Sequence, residues 1–231
     1  LRELGSVEGP PIIPTGYQAQ IIGGMAAFVG SLGQVLGVEL GNKKSPTLVE
    51  TSIYEATLCL TEVGAVSFFN TGLEGRRLGV TRFAPTYPLG VFLCKEGWIG
   101  LTVLTPSQWH AFCKLLNMEH FALVPEYQTS LGRLQDIDTI EPVIQESLLT
   151  FSANDLFYKA QQAAIPLARV PTMEELLEVD QFIERDAFTS AILSGEQRIK
   201  VPSVPFRLMD TPPTFGGYVA ELGEHSERFN R

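Results

Sequence analysis

The chain contains few residues of the types that build metal sites or disulfide frameworks. Its 231 residues include three cysteines and three histidines, and the cysteines stand far apart at Cys59, Cys94 and Cys113. No Cys-x-x-Cys pair and no Cys/His cluster at metal-ligand spacing occurs, so the sequence predicts no metal site. The cysteines are therefore expected to be small buried hydrophobic residues in a reducing compartment.

An excess of basic residues is also missing. The chain has 17 Lys and Arg residues against 26 Asp and Glu residues, a net charge of −9. A nucleic-acid-binding protein usually shows the reverse, a basic face, so nucleic acid is not expected as a partner. The chain begins with Leu1 and shows no signal peptide, which is typical of a fragment or a processed chain.

A long uninterrupted apolar run is the third absence. A membrane-spanning helix needs roughly 20 predominantly apolar residues. The nearest candidate, residues 21–40, contains five glycines together with Ser31, Gln34 and Glu39. This segment therefore predicts a buried helix rather than a membrane span, and a cytoplasmic protein.

That helix is predicted to run from Gln18 to Leu36 or beyond, after a Gly- and Pro-rich loop over residues 1–17. Its apolar residues fall on nearly every face, and a helix of this kind must be covered all round. No strand–helix partner precedes it in the chain. We infer that the covering polypeptide lies upstream or in another subunit.

The middle of the chain predicts a turn, a strand, a helix and a linker. After a polar turn over residues 37–46, residues 47–51 read as a short strand that leads into a second long helix, residues 52–70. Thr51 or Ser52 is its expected N-cap, with Glu55 placed to complete a capping box. Residues 71–88 are rich in Gly and Arg and predict a linker or flexible loop.

The remainder predicts a small α/β unit with well-marked element boundaries. Residues 90–94 and 98–104 form a hairpin, and Thr105-Pro106 with Gln108 begins a helix. Ser152 and Thr172 mark two further helix starts. The other predicted elements are helices over residues 140–149, 153–163 and 173–178, a strand over 165–170, a hairpin of 188–193 with 199–201 around 194–196, and an extended tail from 202.

The order of these motifs resembles family III CoA-transferases, the CaiB/BaiF-like group. The motifs that carry the resemblance are Gly9-Pro10-Pro11, Gly23-Gly24, residues 49–56, the hairpin over 87–98, residues 166–170 with Thr172, Pro205-Phe206-Arg207 and residues 222–225. The resemblance implies the C-terminal part of that α/β fold. In this reading the chain has long buried helices of the large domain (residues 1–72), a linker (73–88), a small α/β domain (89–201) and an extended return to the large domain (202–231).

The same resemblance implies an enzyme that transfers CoA between a thioester and a carboxylic acid. Acyl-CoA is then a substrate, and no cofactor is permanently bound. The expected partners are an N-terminal half or partner subunit, which holds most of the CoA, and a second copy in an interlocked dimer.

The family's nucleophile is missing from the chain. In these transferases an aspartate at the start of the buried helix attacks the thioester and forms a mixed anhydride, which remains activated for the next step. The resemblance places Gln20 at that position, and no Asp or Glu lies between Glu8 and Glu39. Gln20 is a neutral amide and a poor nucleophile.

Three readings remain open: a non-catalytic acyl-CoA-binding or scaffold subunit of a two-part transferase, another reaction on a bound thioester, or a nucleophile in an N-terminal region. A 2-methylacyl-CoA racemase ranks below these. It needs acid–base groups at two positions, where this chain has Gln20 and Thr105, and neither ionises.

Further candidate site residues lie beside this helix and in the linker. Tyr17 and Gln18 are candidates for substrate binding at the helix start, where backbone N–H groups favour an anionic oxygen. Arg82 and Tyr87 complete the predicted substrate-binding set. Arg76 and Arg77 are candidate ligands for a CoA phosphate, with a solvated linker as the alternative reading.

Overall fold

Helices are the commonest regular element of the structure, a computed structural model that describes residues 5–41, 45, 47–193, 197–213 and 218–228. It describes the side chains of all of these except residues 62 and 63. The chain divides into two compact units, residues 1–169 and 170–231. The helices are α1 Gln18–Glu39, α2 Ile53–Ala56, α3 Glu62–Thr71, α4 Pro106–Leu115, α5 Glu119–Ala122, α6 Ser130–Gln135, α7 Ile137–Leu148, α8 Ala153–Gln162, α9 Met173–Leu176 and α10 Asp180–Glu184. The strands are β1 Leu89–Leu93, β2 Trp98–Thr102, β3 Leu167–Val170, β4 Phe188–Ile192 and β5 Arg198–Pro202.

The second predicted helix is interrupted. Ser52 caps α2 as expected, its hydroxyl accepting the Glu55 amide at 3.2 Å, but residues 57–61 form a 3₁₀ segment before α3 begins. The hydroxyls of Thr57 and Thr61 donate to carbonyls three residues earlier, at 2.7 and 2.8 Å. Such back-bonding favours tighter 3₁₀ turns over a regular α-helix, so the prediction of one continuous helix was wrong.

The strand predicted at residues 47–51 is also wrong. These residues have no regular secondary structure, because a strand needs a hydrogen-bonded neighbour. Val49 instead packs on α1: a Cβ added to Gly30 would lie 3.1 Å from its Cγ1.

The small sheet and the helix after it confirm the predicted boundaries. β1 and β2 pair in antiparallel fashion with Val91 opposite Gly100, and β3 completes a sheet in the order β1-β2-β3. Thr105 caps α4 with a full capping box, and Pro106 stands in its first turn. Ser152 caps α8, and Thr172 forms a capping box with Glu175 at α9.

A single hydrophobic core joins one face of this sheet to α4–α8. Its largest fully buried apolar side chains include Tyr87, Phe92, Ile99, Trp109, Phe112, Ile140, Ile144, Leu148 and Leu156. Burial of each large apolar side chain contributes about 1.5–3 kcal/mol, and the residues of this core all lie between Tyr87 and Leu167.

Arg133 lies inside that core and is fully buried. Its guanidinium donates to three backbone carbonyls, those of Tyr87 (2.7 Å), Tyr127 (2.7 Å) and Val103 (2.9 Å). It also stands 4.9 Å from the centre of the Trp109 ring, within reach of a cation–π interaction. Burial lowers the pKa of Arg133 to about 10, still well above neutral pH, so the guanidinium stays charged.

The second unit contains α9, α10 and the β4–β5 hairpin. Thr189 pairs with Val201 in this hairpin, as predicted, and its turn at residues 194–196 lies outside the described residues. Phe182 of α10 packs edge-to-face on Phe188 of β4, with ring centres 6.2 Å apart. Residues 192 and 218 form an isolated parallel bridge that ties the tail to the hairpin.

Candidate functional site

The first turn of α1 has open backbone donors. The helix starts after Gly16, whose φ of +77° suits glycine, and its N-cap residue Tyr17 makes no side-chain capping bond. The amide of Ile21 donates to the Tyr17 carbonyl at 2.9 Å, but the amides of residues 18–20 have no intrahelical acceptor. An anionic oxygen is therefore favoured at this helix start.

The three residues predicted to act at this turn are all exposed. Gln20 is exposed, and its side chain forms no hydrogen bond with the part of the chain that the structure describes. Gln18 donates to the Thr15 carbonyl at 3.3 Å, and the side chain of Tyr17 is 75% exposed. The structure therefore brings these three residues together at one open helix end, and their roles stay predictions.

The apolar surface of α1 is uncovered. We call its exposed large residues the α1 surface: Ile21, Met25, Phe28, Val29, Leu32, Val35 and Leu36, each 44–66% exposed. Gly23 alone is buried among the described residues of the helix, because a Cβ there would lie 2.8 Å from Cγ1 of Ile53. The predicted burial is thus not met within the described residues, and the inference that other polypeptide covers this helix stays a prediction.

By length and composition α1 could also cross a membrane. A single such helix is weak support for a membrane protein, since a core helix passes the same test. The five glycines within residues 21–40 and the exposed side chains of neighbouring helices fit a packed interface better.

The two predicted phosphate-binding arginines differ in their surroundings. Arg76 is exposed and makes no hydrogen bond or ion pair with any described residue. Arg77 is partly buried, and its Nη1 donates to the carbonyl of Gly9 and, at 3.4 Å, to that of Ser6. The guanidinium of Arg77 is therefore engaged with the loop that precedes α1.

Arg82 binds two carboxylates of α7. Its Nε lies 2.6 Å from Oε2 of Glu141 and its Nη2 lies 3.0 Å from Oδ1 of Asp138. Burial opposes the charge of Arg82, but the hydrogen bonds and charges of Glu141 and Asp138 outweigh it and raise the pKa of this guanidinium. Nothing in this arrangement tests the predicted binding of substrate by Arg82.

Tyr87, the fourth predicted substrate-binding residue, lies in the core. Its ring is fully buried and its hydroxyl has no hydrogen-bond partner among the described residues. Burial raises the pKa of Tyr87, and the nearby charge of Glu141 raises it further. No hydrogen bond joins Tyr87 or Arg82 to the α1 turn in the described part of the chain.

The described residues offer no candidate metal site. They contain no group of three or more His, Cys, Asp or Glu residues that could hold a metal ion. Cys94 and Cys113 are buried as predicted, and burial raises the pKa of the Cys113 thiol to about 12. Cys59 is exposed, contrary to expectation, and lies in the 3₁₀ segment between α2 and α3.

Comparison with known proteins identifies the class. The family model described as CoA-transferase family III matches residues 2–226. The chain belongs to CoA-transferase family III, an enzyme family, and its mixed helix–sheet fold is that of the CaiB/BaiF group.

The individual relatives share a quarter or less of their aligned residues with this chain. The chain is 25% identical over 224 residues to (R)-2-hydroxy-4-methylpentanoate CoA-transferase of Clostridioides difficile, covering 90% of this chain and 54% of the relative. It is 22% identical to succinyl-CoA–D-citramalate CoA-transferase of Chloroflexus aurantiacus, covering 92% and 53%. It is 21% identical to succinyl-CoA:mesaconate CoA-transferase of Haloarcula hispanica, covering 77% and 44%. The chain thus spans about half the length of these relatives.

Solved structures share the fold. Rv3272 from Mycobacterium tuberculosis superimposes with a TM-score of 0.78 at 17% identity, covering 98% of this chain and 59% of that one. A CAIB/BAIF family protein from Brucella suis gives a TM-score of 0.75 at 15% identity, covering 99% and 58%.

Proposed function

We propose that this chain is the C-terminal part of a family III CoA-transferase, and that the whole protein moves CoA from an acyl-CoA thioester to a carboxylic acid. The observation that carries the proposal is the open first turn of α1 at the end of an uncovered apolar helix. Free amides at this turn suit the oxygen of a thioester or a carboxylate. The names of the relatives, all CoA-transferases acting on organic acids, support the substrate class.

A second candidate is a non-catalytic acyl-CoA-binding or scaffold subunit of a two-part transferase. Gln20 favours it, because a neutral amide cannot form the acyl anhydride and no carboxylate lies nearby in sequence. In that arrangement a partner subunit supplies the aspartate. Two further alternatives rank below these: another reaction on a bound thioester, and a nucleophile in an N-terminal region.

A racemase ranks lowest. Thr105 occupies the second acid–base position, and its side chain is committed to capping α4, where it accepts the Gln108 amide at 3.2 Å. A threonine hydroxyl does not ionise near neutral pH and is therefore a poor general acid or base.

The remaining site residues enter the proposal by position. Tyr17 and Gln18 flank the open turn and would contact the acyl group, and Arg82 and Tyr87 complete the proposed substrate set. Arg76 is the linker arginine better placed to meet a CoA phosphate, since its guanidinium is exposed and has no ion-pair partner among the described residues. The proposed location is the cytoplasm, and CoA is a substrate rather than a resident cofactor.

The proposed assembly places an N-terminal half or partner subunit on the α1 surface, within an interlocked dimer. Cys59 is exposed in the 3₁₀ segment, which contacts α1, so the reactivity of its thiol should report on the covering of this region. For the isolated chain we expect one thiol to react rapidly with a maleimide, and two more only after unfolding. In the complete assembly we expect Cys59 to be protected.

Cys59→Ser provides the control, because it removes the rapid phase and leaves the buried thiols unchanged. Equal reactivity of Cys59 in the isolated chain and in the complete protein would contradict the proposal that other polypeptide covers the α1 surface.

Incubation of the complete protein with acyl-CoA and a series of carboxylic acids tests the reaction. If the complete protein is a transferase, CoA transfer is detected by mass spectrometry, and hydroxylamine intercepts an acyl-enzyme formed on a carboxylate outside the α1 turn. Transfer that is unchanged in Gln20→Ala favours a nucleophile elsewhere. Absence of transfer with retained thioester binding favours the scaffold subunit.

A further inference from the structure

Arginine side chains fix segment 77–90 to the rest of the described chain at two points. These residues, Arg77 and Arg82, are among those that the sequence predicted to bind CoA phosphate and substrate. Near its start, Arg77 donates to the carbonyls of Ser6 and Gly9. Gly79 forms an isolated antiparallel bridge with Gly5. The loop that leads to the open turn of α1 is therefore fastened to this segment, although about 70 residues of chain separate the two partners.

The second point lies five residues further on. Arg82 spans Glu141 and Asp138, and the hydroxyl of Thr81 lies 3.4 Å from Oε1 of Glu141. Glu141 and Asp138 are one helical turn apart on α7, so a planar guanidinium can meet both. The segment is thereby fastened to the small α/β core.

Close backbone packing joins the same segment to β1. A Cβ added to Gly90 would lie 3.1 Å from both the Cα and the carbonyl oxygen of Thr81. These neighbours are backbone atoms that cannot move aside without shifting the segment. The run from Arg77 to Gly90 is thus packed at both ends and does not behave as a simple spacer.

We propose that Arg77 and Arg82 are positioning residues that make segment 77–90 a fixed connection between the entry loop of α1 and the small α/β core. Arg77 holds residues 5–9, and through them the start of α1 with Tyr17, Gln18 and Gln20. Arg82 holds the other end on α7. The kinetic consequence rests on the proposed function, whereas the structural consequence does not.

Charge-assisted hydrogen bonds are about twice as strong as neutral ones. Each arginine therefore stabilises the part of segment 77–90 at which its own hydrogen bonds lie. Because the two sets of bonds share no atoms, loss of one should leave the other in place. This independence distinguishes the proposal from a general loss of stability, which would affect both ends together.

Hydrogen exchange in the complete protein measures this directly. Arg77→Gln is expected to speed exchange at Gly9 and at the Gly5–Gly79 bridge by about ten- to a hundredfold, the range for loss of a charged hydrogen bond. The Thr86 amide, which donates to Phe83 at 2.8 Å, should be unaffected. Arg82→Gln should instead speed exchange at the Thr86 amide and leave exchange at Gly9 and at the Gly5–Gly79 bridge unchanged.

Matched variants complete the design. Arg76→Gln removes the neighbouring exposed guanidinium and should leave exchange at both ends unchanged. Arg77→Lys should restore slow exchange at Gly9 in part, since one ammonium can still donate to a carbonyl. It also provides the test if Arg77→Gln fails to fold.

Kinetics separate positioning from phosphate binding. If transfer is observed, Arg77→Gln should lower kcat about tenfold while KM for the thioester changes less than about twofold, the pattern of a lost transition-state alignment. The proposal is overturned if Arg77→Gln raises KM in a salt-dependent way and leaves exchange at Gly9 unchanged. If no transfer is observed, the exchange patterns alone decide, so failure of the proposed function remains distinguishable.

Discussion

Replacing Arg133 with methionine is expected to lower the free energy of unfolding by about 4 kcal/mol, one of the larger effects a single substitution can have. Three carbonyls, from Tyr87, Val103 and Tyr127, accept hydrogen bonds from this one side chain inside the core. Methionine fills the space but donates nothing, so three buried acceptors lose their partner.

Two effects oppose each other in this substitution. Methionine removes the cost of burying a guanidinium that has no carboxylate partner among the described residues, a cost visible in the lowered pKa of Arg133. Each unsatisfied buried acceptor costs about 1–3 kcal/mol, and the three together exceed that relief. The carbonyls belong to segments separated by 46, 30 and 6 residues from Arg133, so the loss should loosen the whole core.

Urea denaturation of wild type, Arg133→Met and Arg133→Lys measures the effect. Lysine carries one donor atom and cannot reach three separate carbonyls, so it should restore only part of the stability. Lys114→Met, an exposed change on α4, is the control and should stay within about 0.5 kcal/mol of wild type. A loss below about 1 kcal/mol in Arg133→Met would show that water replaces the guanidinium.

In the complete protein, Gln20→Asp is expected to create an acyl-enzyme that hydroxylamine releases, with at least about a hundredfold more trapped acyl group than Gln20 allows. The new carboxylate attacks the thioester carbonyl, the C–S bond breaks, and CoA leaves as a thiolate that takes up a proton. Hydroxylamine then attacks the acyl carbon of this anhydride, the bond to the enzyme carboxylate breaks, and the products are a hydroxamic acid and the free carboxylate. The open amides of the α1 turn also favour a negative charge there.

Gln18→Asp is the matched control for this experiment. It places the same charge in the same helical turn, two residues earlier, and shares any general electrostatic effect of the helix start. Intact mass spectrometry before and after hydroxylamine should show the acyl group in Gln20→Asp only. Equal trapping of the acyl group in both variants, or in neither, would show that position 20 is not the nucleophile position.

Local signals account for what the sequence predicted well. Thr105, Ser152 and Thr172 were recognisable caps because a cap needs only residues within one turn. The start of α1 at Gln18 follows from Gly16 in the same way. The β1–β2 hairpin needs only a tight turn between two apolar runs.

Distant contacts account for what it missed. The four- to six-residue helices α5, α6 and α10 are too short to show a hydrophobic period. Nothing around Arg133 in the sequence indicates that its partners lie 30 and 46 residues away. The pairing of Arg82 with Glu141 was similarly hidden, although Asp138 and Glu141 at helical spacing give a weak signal.

The uncovered α1 surface gives two parts of the same chain different sources of stability. Residues 87–167 hold a closed core, so their folding is a unimolecular event that dilution does not affect. Helices α1–α3 expose their apolar residues, and in the proposed assembly these residues are covered by a partner, so the order of these helices would depend on protein concentration. Thermal unfolding of the isolated chain should accordingly show one transition that is independent of concentration and a weaker one that shifts with it.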